Sequence, residues 1–207
     1  RAKQYVGKNT IISLCGSFSA ADLQAVCDAF ASLPAGDPSP MPKATYRKAT
    51  VVKKKDIEQN HLLMTFPGLY ANHPDRYVLA ALNNILGSGM SSRLFQRVRE
   101  QSGLCYSIYS FTSLYQNTGV LGIYVALGRE TQEDALRMIR EELERFKTEG
   151  ITEEELARTK EQLKTTLLMS LESTNSRMSS MARNEMIFGH SQSPEEAVEK
   201  LEKVTVS

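Results

Sequence analysis

Residues 34–42 contain Pro34, Gly36, Pro38, Pro40 and Pro42. Each proline fixes φ and removes a backbone donor, so a segment this rich in them builds neither a helix interior nor a central strand. It reads as a semi-extended linker. It therefore divides the chain into a short piece before it and a piece of ordinary domain size after it.

In the leading piece, residues 9–15 carry Ile11, Ile12, Leu14 and Cys15 and predict a short buried strand. Gly16 to Ser19 form a turn with capping residues. A helix is predicted over 20–33, with Leu23, Val26, Cys27, Phe30 and Leu33 on one stripe. Together they make one βα unit.

Past the linker, strands are predicted over 45–53 and 61–66. Lys53, Lys54 and Lys55 between them read as a solvated strand end, with a phosphate site as the alternative. A helix over 75–86 is broken by Gly87, Ser88 and Gly89, and a basic helix follows over 92–101. Strands over 105–115 and 120–127 flank a turn and predict an antiparallel hairpin. An amphipathic helix is predicted over 131–147. A capping box of Thr152 and Glu155 then opens a long helix. Helices over 175–188 and from Pro194 complete the chain. This order predicts an α+β fold, an α/β sandwich whose antiparallel-rich mixed sheet has helices packed on one face.

The formal net charge is +1 over 207 residues, which excludes bulk attraction to nucleic acid or an anionic membrane. No apolar run is long enough to span a bilayer, and none resembles a signal segment. Cys15, Cys27 and Cys105 are an odd set without C-x-x-C spacing, so Cys15 and Cys27 read as small buried hydrophobes in a reducing compartment. A catalytic thiol at Cys105 would need a histidine that the sequence does not place beside it. Both features point to the cytoplasm. The chain opens at Arg1 without a methionine, which reads as a fragment.

Metal chemistry has no motif here. The histidines, His61, His73 and His190, never fall at H-E-x-x-H or H-x-x-E-H spacing, so no metal site is expected in this chain. Glu153, Glu154 and Glu155 look metal-friendly, but acids in a first helical turn answer the helix dipole. Gly87 and Gly89 lack the rest of a phosphate loop and read as a helix end plus turn.

Arg99 and Tyr106 are the more informative pair. Arg99 lies near the end of the basic helix, and Tyr106 opens the following strand. A guanidinium and a phenol both donate hydrogen bonds and can clamp a peptide carbonyl or a developing oxyanion. On bare chemistry two readings stand side by side. In one the pair serves a site; in the other Arg99 pairs with an acid and Tyr106 half-packs in the core.

The run Gly89, Ser92, Arg93, Leu94, Phe95, Val98, Arg99, Glu100, Gly103, Leu104, Tyr106 and Ser107 resembles the second-domain pattern G-x-x-S-R-L-F-x-x-V-R-E-x-x-G-L-x-Y-S of the pitrilysin/insulinase zinc metallopeptidases, in their processing-protease branch. The resemblance extends to Tyr5, Asn9 and Gly16 on one side and to Thr152, Glu155 and Lys160 on the other. It implies two similar α/β domains closing around a peptide. The first would hold zinc through H-x-x-E-H and a downstream Glu. The second would supply Arg99 and Tyr106 to bind substrate and face the zinc, with Gly87 and Gly89 where related subunits carry a glycine-rich substrate loop. Residues 1–33 then correspond to the closing βα unit of the first domain, 34–44 to the linker and 45–207 to a second domain shortened at its end. Because the two domains are alike, residues 9–33 could fill the slot of the missing closing unit.

The implied partners are a peptide or unfolded-protein substrate and the zinc-bearing domain or a homologous catalytic subunit, in an arrangement that also admits a homodimer. The fragment itself is expected to be inactive and to hold no zinc. The alternative of another class is a non-catalytic partner subunit or scaffold of such a complex. A generic α/β ligand-binding domain is the third reading.

Overall fold

Three strands carry the sheet of this computed structural model, which describes residues 3–206: β1 (Asn60–Gly68), β2 (Ser107–Leu114) and β3 (Gly119–Leu127). Their order is β1-β3-β2 and both pairings are antiparallel. The β2–β3 hairpin runs from Ser107 opposite Ala126 to Leu114 opposite Gly119, as the two apolar runs around a turn predict. Side chains alternate across a pleated strand. Leu62, Val125 and Ile108 therefore share one rung of the inner face, and Met64, Ile123 and Ser110 share the next.

Helices cover that inner face. They are α2 (Arg76–Gly87), a π-helix (Phe95–Gln101) and α3 (Gln132–Glu149). Leu86, Leu94, Val98, Ile108, Ile123, Val125, Ala135 and Ile139 form one buried cluster. Each large apolar side chain fully buried there contributes about 1.5–3 kcal/mol. The outer face stays open, with Leu63 and Tyr109 exposed. This is the expected α+β layering with helices on one face.

Gly87 is where α2 meets β2. A Cβ added there would lie 2.6 Å from both the backbone nitrogen and the Oγ of Ser110. Backbone cannot yield cheaply at that distance, so Gly87→Ala should cost about 1–3 kcal/mol, read as a lower unfolding midpoint. A wild-type midpoint would show that the helix and strand can part without penalty.

The chain divides into two compact units, residues 44–164 with 198–206 and residues 3–43 with 165–197. The first holds the sheet and also a smaller cluster of Ala81, Leu156 and Val204, flanked by Tyr77 and Ile151. Lys160 donates to the carbonyl of Glu202 at 2.7 Å beside it. Helices α4 (Glu153–Ser170), α5 (Thr174–Phe188) and α6 (Pro194–Glu202) begin within a residue of their predicted starts. In the second unit, α1 (Ala20–Phe30) opens with a capping box between Ser19 and Asp22. Ser173 caps α5, and the Ser13 hydroxyl donates to the Met178 carbonyl at 2.9 Å.

Several expectations fail. Residues 10–15 form no strand, because their backbone finds no ladder partner among the described residues, so they fill no sheet position. The strand predicted over 45–53 does not form. Adjacent Val51 and Val52 would point to opposite faces of a pleat, and both remain exposed. A single strand, β1, therefore precedes α2 where two were expected. Helix α1 forms but ends at Phe30, and its stripe is largely uncovered: Leu23, Cys27 and Phe30 are exposed, while Val26 and Leu33 are half-buried. Cys27 is thus no buried hydrophobe, whereas Cys105 is buried. The Pro-rich segment has no helix or strand, as expected. It is tied down all the same, since Gly7 donates to the Pro34 carbonyl and Ser39 to that of Lys3.

Candidate functional site

The segment from Gly89 to Tyr106 is fastened at both ends. The Ser92 hydroxyl donates to the Gly89 carbonyl at 2.6 Å, and the Gln96 amide reaches the Met90 carbonyl at 2.7 Å. Leu94, Phe95 and Val98 turn inward and are buried. The chain then winds as a π-helix rather than the α-helix its spacing predicts; such turns are rare and frequent at functional sites. Gly103 and Leu104 close it by donating to the carbonyls of Arg99 and Val98. Gly103 takes φ +62°, a left-handed turn that suits glycine, and redirects the chain toward β2. Tyr106 donates its N–H to the Ala126 carbonyl at 2.9 Å, one residue before β2 begins.

Three arginines project from this segment, and their partners separate them. Arg93 makes a fork to Glu155, with Nε and Nη2 each 2.7 Å from a carboxylate oxygen. It also donates to the Gly150 carbonyl at 2.9 Å and stacks over Phe146. Glu155 in turn accepts from the Thr152 N–H at 2.8 Å and completes the predicted capping box. The Arg93 hydrogen bonds hold the Glu155 carboxyl at about 2, well below the usual carboxylate range. Arg97 donates to Glu142 and to Glu141, each at 2.8 Å. Both arginines are committed to acids.

Arg99 is not. Its guanidinium lies 4.7 Å from the centre of the Phe95 ring and makes no hydrogen bond or ion pair among the described residues. Tyr106 is 72% exposed, and its hydroxyl likewise has no partner among the described residues. The packing alternative, with Arg99 on an acid and Tyr106 in the core, does not describe either side chain. Between them lies Cys105. Burial pushes its thiol up to about 11, with the Arg99 charge pulling the other way, so at neutral pH it is protonated and no nucleophile.

The two glycines differ. Gly87 is buried against Ser110, so its lack of a side chain serves packing. Gly89 has φ +138°, and a side chain there would meet only open space. The histidines stay apart in their contacts: His61 against the Tyr124 hydroxyl, His73 edge-on to Tyr70, His190 edge-on to Phe188. Among the described residues no three His, Cys, Asp or Glu side chains group so as to hold a metal ion, so the residues present do not fit a zinc site. Glu153, Glu154 and Glu155 are the acidic first turn of α4.

Sequence reasoning missed the role of Glu142. It is 2% exposed and meets Arg97 at 2.8 Å, Arg145 at 3.5 Å and Arg93 at 3.9 Å. The signal was present: Glu142 follows Ala135 and Ile139 at helical spacing, a charge on the apolar stripe of α3.

Comparison with known proteins agrees with this architecture. Residues 1–163 match the family described as the peptidase M16 inactive domain. An uncharacterized zinc protease of Bacillus subtilis, YmxG, is 39% identical over 203 residues, 98% of this chain and 50% of the relative. The crystal structure of a peptidase M16 inactive domain from Pseudomonas fluorescens aligns with TM-score 0.80 and 25% identity, covering 99% of this chain and 50% of that one. A chain of complex III2 from Candida albicans shares the fold, with TM-score 0.78 and 23% identity over 92% of this chain and 48% of that one. The chain thus spans about half the length of YmxG and of the Pseudomonas structure. The match and the motif resemblance agree, and the chain belongs to the peptidase M16 family, as a member of its inactive-domain class.

Proposed function

We propose that this chain supplies the peptide-binding wall of a zinc-peptidase-type protein whose reacting centre lies outside it. The observation that carries the proposal is the division of labour among the arginines. Arg93 and Arg97 are consumed by acids, while Arg99 keeps its donors and Tyr106 stands exposed nearby in sequence. Unpaired guanidinium and phenol donors suit the carbonyl oxygens of an extended peptide. Hydrogen bonds to charge that develops on such an oxygen are among the strongest stabilising effects an enzyme can supply. The open turn at Gly89 would border the bound peptide, with Gly87 fixing how α2 meets β2. Zinc, which the name of YmxG invokes, would sit in the rest of the intact protein, in a preceding domain or a homologous catalytic subunit. In that arrangement residues 1–33 close the preceding domain, 34–44 link, and 45–207 form the binding domain.

A second reading, a non-catalytic subunit of a larger assembly, draws on the fold shared with the complex III2 chain. An H-x-x-E-H motif in the sequence encoded upstream of Arg1 would favour the enzyme, and its absence the subunit.

Tyr106→Phe in the intact protein tests the wall. Removing one hydroxyl that touches nothing in the described chain should leave the melting temperature unchanged. It should lower kcat/KM on an internally quenched peptide about ten-fold, the loss of one neutral hydrogen bond. Unchanged turnover would remove Tyr106 from the site.

A further inference from the structure

We propose that Glu142 is a positioning residue for Arg99, acting through Arg97 and the π-helix; the inference rests on reading Arg99 as a substrate contact. Glu142 is the buried charged side chain of the described residues. A buried carboxylate is tolerated only when it is paired, so it holds its cations in fixed places. The partner held most closely is Arg97, at 2.8 Å. Glu142 stands on α3, which is anchored by Ala135 and Ile139 in the core. Arg97 stands in the middle of the π-helix, two residues before Arg99. The ion pair therefore ties the rotation of that helix to the rigid face of α3.

Arg99 has no tether outside its own helix among the described residues. It rests on Phe95, four residues earlier in the same segment. Whatever turns the helix turns the Phe95–Arg99 pair with it. Gly89 and Gly103 bound the segment on either side, both at positive φ. The buried Leu94, Phe95 and Val98 and the hydrogen bonds at its ends seat the segment, and the charge-assisted bond from Arg97 to the buried Glu142 adds a hold in a fixed direction.

The other acids make the test clean. If Glu142 loses its charge, Arg93 keeps Glu155, Arg97 keeps Glu141 and Arg145 keeps Glu149. No guanidinium is left without a carboxylate, and Glu142→Gln preserves shape and one acceptor oxygen. The fold should survive while the orientation relaxes.

A double-mutant cycle in the intact protein decides it, using Glu142→Gln, Arg99→Ala and the pair, read as kcat/KM on an internally quenched peptide with melting temperatures alongside. Misplacement of a binding group alone should make Glu142→Gln about ten-fold slower. In the Arg99→Ala background the same change should cost less than about two-fold, because there is no guanidinium left to misplace. Equal losses in both backgrounds would overturn the positioning role and leave Glu142 merely structural, as would a Glu142→Gln protein at wild-type rate. Arg99→Ala at wild-type rate would instead overturn the site reading beneath it. Arg97→Lys, which keeps the charge but loses the planar guanidinium that reaches Glu141 and Glu142 at once, gives the same cycle independently and should be non-additive with Arg99→Ala in the same way.

Discussion

Arg93→Ala should lower the unfolding free energy by about 3 kcal/mol, the cost of breaking a largely buried pair by removing one member. The structure says why this arginine matters more for folding than its neighbours. Its fork to Glu155, its bond to the Gly150 carbonyl and its stacking on Phe146 join the segment before the π-helix to the α3–α4 turn. Glu155 would be left with only its cap on Thr152.

The same pair sets an acid limit. The folded Glu155 carboxyl titrates at about 2, against about 4.3 in an unfolded chain. A group whose folded value is depressed contributes fully above the unfolded value and loses that contribution as pH falls through the folded one. Wild-type stability should therefore decline between about pH 4 and pH 2, and Arg93→Ala should flatten that decline. Urea unfolding of the intact protein at pH 7 and across the acid window measures both effects. A variant within about 0.5 kcal/mol of wild type at pH 7 would show that the clasp is ornamental.

Arg99→Ala should behave in the opposite way. It removes a cation that no acid holds among the described residues, so the stability lost is the stacking on Phe95, roughly 0.5–1 kcal/mol. Turnover should fall about 100-fold, the effect of deleting one donor aimed at developing charge. Two arginines in one short segment thus separate: Arg93 is expected to affect folding without a role in binding, and Arg99 the reverse.

Much of this was legible from residues alone. The hairpin, α2, α3, the capping turn ending at Ser19 and the capping box at Thr152 follow from periodicity and local hydrogen-bonding chemistry, which act over a few residues. The strands expected over 9–15 and 45–53 did not form, because a strand requires a partner that a local apolar run does not specify. The stripe of α1 was read correctly as apolar, but burial depends on what covers it, which no spacing encodes. The π-helix was hidden because it is a short run, and whether each N–H bonds the carbonyl four or five residues back is not encoded in so few side chains. At the site, the types and order of Arg99 and Tyr106 were visible. That Arg93 and Arg97 are paired and Arg99 is not could only come from the placement of Glu141, Glu142 and Glu155 in space.

Arg99 is expected to serve substrate rather than structure. The most direct test measures kcat/KM on an internally quenched peptide and the melting temperature together, for the intact protein carrying Arg99→Ala and for Arg93→Ala beside it. Arg99→Ala should lose most of its turnover at a nearly wild-type melting temperature, and Arg93→Ala should show a clear drop in melting temperature. Wild-type turnover by Arg99→Ala, or a melting temperature as low as that of Arg93→Ala, would contradict the substrate role.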